Sequence, residues 1–253
     1  MSHIADQCRS VIFCGGTMSP LPETIKQLLS RNLISRSTSK SMNHVIEPEN
    51  INLALLSSGP SGTNLNFSFE SRNDMRMIQE LGIIITNYAR VIPAGLVVFF
   101  TSFSYMEHVM HIWESSNILN GINSIKNVRY YYIILFNLNL QVFFEKKGEA
   151  PDIMLQNYER TIISKKGAIL FAVMGGKLSE GINFSDDLGR GIITVGLPYP
   201  NVNEIETKEQ MNAYIKLMLE SGSEKTRKQL EADFLESCCM RIMNQTIGKS
   251  TYI

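Results

Sequence analysis

Residues 169–184 read ILFAVMGGKLSEGINF, and this stretch is the most informative part of the chain. Its first five residues are all apolar, which is typical of a short strand that is covered on both faces of a parallel sheet. Two glycines follow after Met174 and let the backbone approach a ligand closely. Lys177 then lies where it can meet a phosphate, and Glu180 and Asn183 can reach a bound nucleotide. Spacing alone leaves an alternative open, in which this is a Gly-rich turn that caps a helix and whose charges are solvated.

Four other short apolar runs have the same character. They are rich in Val, Ile, Leu and Phe, are bounded by Gly, Pro, Ser or Asn, and also predict buried strands. They are Val11–Cys14, Leu53–Leu56, Leu96–Phe100 and Ile192–Leu197.

Helical patterns alternate with these runs, with apolar residues recurring every three or four positions. They are Ser71–Arg90, Tyr105–Glu114, Leu155–Ile163 and Lys208–Leu219. Strands that alternate with helices predict an α/β fold with a doubly wound parallel sheet. We expect a single domain over residues 1–253. Polar segments predict an exposed loop at Ser35–Asn43, a turn at Gly148–Pro151 and a loop at Ser221–Lys228.

Composition excludes few functions. Of the 253 residues 44% are hydrophobic and 19% charged, and 24 basic side chains balance 24 acidic ones, so a nucleic-acid partner would need a local basic surface. The four cysteines form no CxxC pair, and Cys238 and Cys239 are expected to be apolar residues on a helix. The apolar segment Tyr130–Phe144 is shorter than the roughly 20 residues that a bilayer span needs. These features predict a soluble intracellular protein in a reducing compartment.

Ligands in this fold bind outside the carboxyl ends of the strands. The segments that follow the predicted strands there are rich in Gly, Ser, Thr and Pro, a composition that brings backbone amides and hydroxyls to phosphates. They are Gly15–Pro20, Thr101–Ser104, Gly175–Phe184 and Pro198–Asn201. The hydroxyl residues among them could equally be helix caps.

Three other patterns carry little functional weight. Ser57–Gly62 has the composition of a phosphate loop but lacks the Gly-Lys-Ser/Thr ending, so a surface turn is expected. Gly248-Lys249-Ser250 resembles the end of a Walker A loop, yet Met243 stands where a glycine is required. His108 and His111 have too few companions to form a zinc site, and no metal site is predicted.

Five segments in this order resemble the C-terminal motor domain of the XPD-like superfamily 2 helicases, and within them the branch that acts in sister-chromatid cohesion. They are GGTMSP (15–20), VVFFTSFSY (97–105), GGKLSEGINFSD (175–186), GLPYPN (196–201) and NQTIG (244–248). The resemblance extends from about Ala5 to Gly248. It implies a RecA-like second motor domain, with ATP bound between two such domains and single-stranded DNA running across both.

The resemblance also implies roles for individual residues. Gly16, Thr17 and Ser19 would couple the two sites; Thr101, Ser102, Gly176, Lys177 and Ser179 would contact DNA; and Glu180, Gly181, Asn183, Gln245 and Gly248 would lie at the ATP cleft. The implied protein is a nuclear, ATP- and Mg²⁺-dependent DNA helicase acting on single-stranded or forked DNA, with its first motor domain and cohesion or replication factors as partners.

The chain departs from the family pattern in three respects. It contains no Walker A loop and no DEAH box, which in the family belong to a first motor domain that would precede Met1, together with the iron–sulfur cysteines. After Gly248 the family continues as Arg-x-x-Arg, whereas this chain ends KSTYI. An arginine in that role contributes roughly 10³–10⁵ in rate, and a lysine lacks its bidentate fork. Residues 130–141 look like an atypical insertion, and they and the tail at 249–253 are interpreted as translated intron or gene-model error.

These departures predict that the chain alone neither hydrolyses ATP nor unwinds DNA. One alternative is a non-catalytic, truncated module that binds nucleic acid or a partner. Another is an unrelated doubly wound enzyme, but the chain has neither a nucleophile elbow nor a G-x-G-x-x-G fingerprint.

Overall fold

The computed structural model describes residues 4, 7–15, 25, 29, 31–43, 47–116, 118, 142–148, 150–164, 167–181, 184 and 186–248. The chain divides into two compact units, Met1–Glu47 with Tyr199–Gln245, and Pro48–Pro198 with Thr246–Ile253. We describe each unit by itself, and the single domain over residues 1–253 stays a prediction. The proposed insertion at 130–141 and the tail at 249–253 lie outside the described residues.

A parallel sheet forms the centre of the unit that contains residues 48–198. Its strands are β1 (Gly95–Phe100), β2 (Val142–Phe144), β3 (Ala168–Val173) and β4 (Gly191–Val195), in the spatial order β2-β3-β1-β4. Val98 of β1 lies between Phe171 of β3 and Ile193 of β4. Every residue of β1 and β3 is buried, as their continuous apolar runs predicted.

The helices of the described chain follow the predicted alternation. They are α1 (Arg31–Ile34), α2 (Met75–Val91), α3 (Phe103–Ser115), α4 (Asp152–Ile163), α5 (Lys177–Gly181), α6 (Ile205–Glu220) and α7 (Arg227–Gly248). Short 3₁₀ turns occupy Pro48–Asn50 and Asp186–Gly189. The cap at the start of α2 explains its first residue, because the Asp74 carboxylate accepts a 2.8 Å hydrogen bond from the Arg76 amide.

One face of the sheet is covered by α2 and α3. Ile78 and Ile85 of α2 and Trp113 of α3 are fully buried there. The indole Nε1 of Trp113 donates a 2.8 Å hydrogen bond to the Ile78 carbonyl, which joins the two helices. Burying each large apolar side chain contributes about 1.5–3 kcal/mol, so this layer is a major source of stability.

The opposite face carries α4. Tyr158 of α4 packs edge-on against Phe143 of β2, with 5.5 Å between ring centroids, and its hydroxyl donates to the Leu188 carbonyl. Burial raises the pKa of Tyr158 well above its ordinary value. Because helices cover both faces of a parallel sheet, the predicted α/β doubly wound class is confirmed.

The second unit contains the helix pair α6 and α7. An apolar cluster that includes Tyr214, Met218 and Phe234 holds the two helices together. Gly222, with φ of 84°, lies in the loop between them, which falls within the predicted Ser221–Lys228 loop. Cys238 and Cys239 lie on α7 as expected, the first half-buried and the second buried.

Two predicted strands are wrong. Val11–Cys14 and Leu53–Leu56 are extended segments without strand pairing in the described chain. Their side chains are largely in solvent, with Ile12 85% and Leu55 94% exposed. A four-residue apolar run fixes neither a pairing partner nor a covering layer, and in the described residues these runs have neither.

Residues 57–65 form a turn, as predicted for Ser57–Gly62. The Leu65 amide donates to the Ser57 carbonyl at 2.9 Å, and Gly62 has φ of 84°. The buried carboxylate of Glu80 on α2 holds the turn, accepting from the amide of Ser61 at 2.6 Å and from its hydroxyl at 2.8 Å. The Glu80 carboxylate on α2 therefore holds this turn in place. The predicted loops at Ser35–Asn43 and Gly148–Pro151 also lie where they were expected.

Candidate nucleic-acid interface

The carboxyl ends of the parallel strands gather the residues predicted to bind a ligand. β1 and β3 end side by side, because Phe100 pairs with Val173 and the Met174 amide donates to the Phe100 carbonyl at 2.9 Å. Thr101 follows the end of β1 directly, and Gly175 follows the end of β3 after Met174. We call this edge of the sheet, with the loops after β1, β3 and β4, the carboxyl edge.

The loop after β3 is built from glycines. Gly175 has φ of 72°, a left-handed conformation that favours glycine, and it is exposed. A Cβ on Gly176 would lie only 2.9 Å from a carboxylate oxygen of Glu145, so this glycine is needed for packing within the protein itself. Lys177 is exposed at the start of α5 and forms no ion pair with a carboxylate of the described chain. Its ammonium group is available to an anion.

Sequence reasoning did not identify Glu145, which supports this loop from below. The residue follows β2 and is only 5% exposed. Its carboxylate accepts hydrogen bonds from the Val173 amide at 2.9 Å and from the Leu178 amide at 3.3 Å. Those amides lie on the two sides of the glycine pair, so Glu145 fixes both ends of the loop. The neighbouring sequence EKKGE gave no signal of this, because it has the composition of a solvated turn.

Ser179 and Ser102 make hydrogen bonds within the protein. The Ser179 hydroxyl is buried and donates to the Gly176 carbonyl at 3.0 Å, closing the loop on α5. The Ser102 hydroxyl accepts from the Tyr105 amide at 3.2 Å, so Ser102 is the N-cap of α3. The alternative interpretation of Ser102 as a cap is confirmed, and a contact of either serine with DNA stays a prediction.

Thr101 differs from these two serines. Its hydroxyl is buried and has no hydrogen-bond partner in the described part of the chain. Gly196, which follows β4 with φ of 77°, is adjacent, since a Cβ there would lie 3.4 Å from Cγ2 of Thr101. A buried unpaired hydroxyl costs about 1–3 kcal/mol, so Thr101 is a site where a ligand atom would relieve an existing cost.

A segment before α2 runs past the same edge. A Cβ on Gly196 would lie 3.2 Å from Cβ of Phe67, which brings residues 66–72 beside the end of β4. The Arg72 guanidinium lies 4.6 Å from the ring centroid of Phe69 and 5.1 Å from that of Tyr105. The Tyr105 hydroxyl donates to the Arg72 carbonyl at 2.7 Å. Burial raises the pKa of Tyr105 to about 12, against the opposing effect of the Arg72 charge.

The remaining predicted site residues are not assembled by the described geometry. Gly16, Thr17, Ser19 and Asn183 lie outside the described residues, and for Glu180 and Gly181 only the helical backbone is described. Gln245 and Gly248 lie in the last turn of α7. Gly248 thus ends a helix and does not follow a strand, unlike the glycine of a Walker A loop. The assigned roles in coupling and at the ATP cleft stay predictions.

The described residues show neither a cluster of metal ligands nor a membrane-spanning helix. Within these residues no group of three or more His, Cys, Asp or Glu side chains could hold a metal ion, and His108 and His111 are exposed on α3. No helix in the described part of the chain is long and apolar enough to cross a membrane.

Comparisons with known proteins agree with this geometry. A family model described as the helicase C-terminal domain matches residues 85–250. The ATP-dependent DNA helicase chl1 of Schizosaccharomyces pombe is 36% identical over 249 residues, which are 98% of this chain and 28% of that protein. The ATP-dependent DNA helicase DDX11 of Danio rerio is 38% identical over 259 residues, covering 98% and 27%. The chain therefore spans less than a third of the length of these curated relatives.

A solved XPD helicase has 18% sequence identity and a TM-score of 0.45, over 74% of this chain and 27% of that one. The fold class rests on the parallel sheet itself and needs no support from this likeness. The family match extends over β1 to β4 and includes the loops of the carboxyl edge. It covers well over half of the 253 residues, and the chain belongs to the helicase C-terminal domain family.

Proposed function

We propose that this chain is the second motor domain of an ATP-dependent DNA helicase and that its carboxyl edge binds single-stranded DNA. The observation that carries the proposal is the exposed Lys177 on a glycine loop, which pairs with no carboxylate of the described residues. On the neighbouring strand, the buried hydroxyl of Thr101 has no hydrogen-bond partner among the described residues. Such a surface offers a cation and open backbone to phosphates, and the buried Thr101 hydroxyl would pair with a ligand atom that reached it. These groups hold a DNA backbone in register without reading its sequence.

ATP and Mg²⁺ enter the proposal through the relatives, which are named ATP-dependent DNA helicases. Gln245 and Gly248 of α7 and the α5 segment Glu180–Gly181, with Asn183, would contribute one side of the nucleotide cleft. As the family resemblance implies, the metal ligands would come from the first motor domain. When bound, the nucleotide and its metal supply phosphoryl transfer, and this chain would supply DNA contacts and one wall of the cleft. No iron–sulfur cluster is proposed for this chain.

The complete protein would couple ATP hydrolysis to movement along single-stranded DNA and to unwinding of forks. Its partners would be the first motor domain and cohesion or replication factors, and its location the nucleus. This chain by itself would bind DNA without hydrolysing ATP, because it contains no Walker A lysine and no DEAH carboxylate.

A filter-binding salt series on the purified chain tests the DNA-binding part of the proposal. With a dT homopolymer, we expect the logarithm of the binding constant to fall linearly with the logarithm of salt concentration. Lys177→Ala should weaken binding at low salt and reduce the slope by about 0.7. The matched control is Lys216→Ala, which removes an exposed lysine of α6 and should leave both quantities unchanged. Equal slopes for both variants and the parent chain would remove Lys177 from the interface.

A further inference from the structure

Phe69 is the most exposed aromatic side chain in the described part of the protein. It is 79% exposed, while most phenylalanines of the same unit are buried in the sheet or against it. The Arg72 guanidinium covers part of the ring at 4.6 Å from its centroid. A single exposed apolar side chain is ordinary on a protein surface and does not by itself indicate a site, so the inference rests on the neighbouring Arg72 and on the place of the pair in the fold.

The described contacts of Arg72 hold its side chain in place but do not neutralise its charge. Its guanidinium packs near two rings, those of Phe69 and Tyr105, and its backbone carbonyl accepts the Tyr105 hydroxyl. Its Nε is buried without a hydrogen-bond partner, and no carboxylate of the described chain pairs with it. Cation–π packing orients the guanidinium without neutralising its charge. The charge therefore remains available to an anion, and a phosphate suits the planar fork of an arginine.

The location of the pair favours a nucleic-acid ligand. Tyr105 lies in the first turn of α3, which begins directly after Thr101 and Ser102 at the carboxyl edge. Phe67, two residues before Phe69, lies beside Gly196 at the end of β4. The Phe69–Arg72 pair therefore lies near the ends of β1 and β4 at the carboxyl edge, which also carries Lys177.

We propose that Phe69 and Arg72 form a binding site for one nucleotide of a single strand, in which a base stacks on the Phe69 ring and Arg72 binds the adjoining phosphate. The inference rests on the proposed function and extends it beyond phosphate contacts to a base contact. Aromatic stacking accepts every base and is enough for a motor that moves along any sequence. Tyr105 keeps Arg72 in place before DNA arrives, because its ring lies 5.1 Å from the guanidinium and its hydroxyl donates a hydrogen bond to the Arg72 carbonyl.

The test compares an intact dT homopolymer with a strand of the same length whose sugars carry no bases. For the intact strand, Phe69→Ala should weaken binding by about 5- to 100-fold, the range for loss of one base–aromatic stack. For the abasic strand, Phe69→Ala and the parent chain should bind equally. Phe69→Trp should retain binding to the intact strand, and its fluorescence should be quenched on binding, above the constant signal of the buried Trp113.

Two controls separate stacking from loss of surface and loss of charge. Ile153→Ala removes a comparably exposed apolar side chain from α4 and should change neither affinity. Arg72→Gln should lower the salt slope by about 0.7, whereas Arg90→Gln, at the end of α2 that leads into the opposite edge of the sheet, should not. Because Phe69 is exposed, Phe69→Ala should retain the thermal unfolding midpoint of the parent chain.

The outcomes distinguish this inference from the function on which it rests. If the parent chain binds neither strand, the proposed DNA-binding function fails and this inference fails with it. If the parent chain binds the intact strand and Phe69→Ala binds it equally well, only the Phe69–Arg72 site is overturned. If Phe69→Ala weakens binding to the intact and abasic strands by the same factor, the ring does not stack on a base, and the inference is overturned as well.

Discussion

Two buried carboxylates organise the loops around the sheet. Glu80 is 3% exposed and holds the turn at residues 57–65, and Glu145 is 5% exposed and holds the glycine loop after β3. Glutamate is almost never fully buried unless it is paired. Here each carboxylate is satisfied by hydrogen-bond donors from the loop that it holds, so the loop and the carboxylate stabilise one another.

Replacement of Glu145 tests its role as a positioning residue. In Glu145→Gln the amide NH₂ would face a backbone N–H, so one of the two hydrogen bonds is lost and a buried donor is left unpaired. The free energy of unfolding, measured by urea denaturation, should fall by about 1–3 kcal/mol. Glu159→Gln, at an exposed position on α4, should change it by less than about 0.5 kcal/mol. Equal stabilities of the two variants would mean that Glu145 does not hold the loop.

The raised pKa of Tyr105 predicts that the free energy of unfolding changes with pH in the alkaline range. Its pKa in the folded protein is about 12, above the ordinary value of 10.0, so folding favours the protonated phenol. That contribution is fully present below pH 10 and is lost as the pH rises from 10 through 12. Tyr105→Phe lacks the group and loses the hydrogen bond to Arg72, which costs about 1 kcal/mol at neutral pH.

The stability difference between the parent chain and Tyr105→Phe should therefore shrink as the pH rises above 10. Urea denaturation of both chains at pH 7, 9, 10 and 11 measures it. A difference that stays constant or grows across this range would contradict the raised pKa.

The main secondary structure elements could be predicted from the sequence, but their pairings could not. β1, β3 and β4 and helices α2, α3, α4 and α6 follow from apolar runs and helical spacing. β2 has only three residues and appears as a strand because it pairs with β3. The runs Val11–Cys14 and Leu53–Leu56 are as apolar as β4, yet they lack a partner in the described chain. Strand formation depends on a neighbour, which a local pattern does not contain.

The candidate site could also be predicted only in part from the sequence. The glycine loop with Lys177 could be predicted because it follows a strand, and the fold places the carboxyl ends of parallel strands at one edge. The roles of Glu145 and Arg72 could not, because the contact of Glu145 with Val173 and that of Arg72 with Tyr105 each join residues about 30 positions apart in the sequence. Polar residues in charged or Ser-rich surroundings give no periodic signal of burial or of stacking.

The turn at residues 57–65 should depend on the carboxylate of Glu80. Glu80→Gln removes the carboxylate whose two oxygens accept hydrogen bonds from the amide and the hydroxyl of Ser61. The turn should therefore open more often. Limited proteolysis should cut within residues 57–65 several times faster than in the parent chain. Glu114→Gln, at an exposed position on α3, serves as the control and should leave the rate unchanged. Unchanged cutting of Glu80→Gln would show that the turn does not depend on this carboxylate.

The chain as a whole matches only the helicase C-terminal domain, and we propose that it binds DNA but lacks the groups that hold the nucleotide phosphates and magnesium. It spans 27–28% of the length of its helicase relatives and matches the helicase C-terminal domain over residues 85–250. In the proposed function, Lys177, Arg72 and Phe69 at the carboxyl edge would contact a single strand. The Walker A lysine and the DEAH carboxylate, which hold the nucleotide phosphates and magnesium, do not occur in the sequence. This chain should therefore bind DNA without hydrolysing ATP.

DNA-stimulated ATP hydrolysis by the purified monomer tests this separation most directly. The chain, isolated by size exclusion, is mixed with Mg²⁺, ATP and enough dT homopolymer to saturate binding in a parallel anisotropy titration, and phosphate release is followed. We predict a clear anisotropy change and a rate of phosphate release equal to that of a buffer blank, with and without DNA. DNA-stimulated hydrolysis that co-elutes with the monomer peak would contradict the assignment of this chain as a second motor domain that binds DNA but cannot hydrolyse ATP alone.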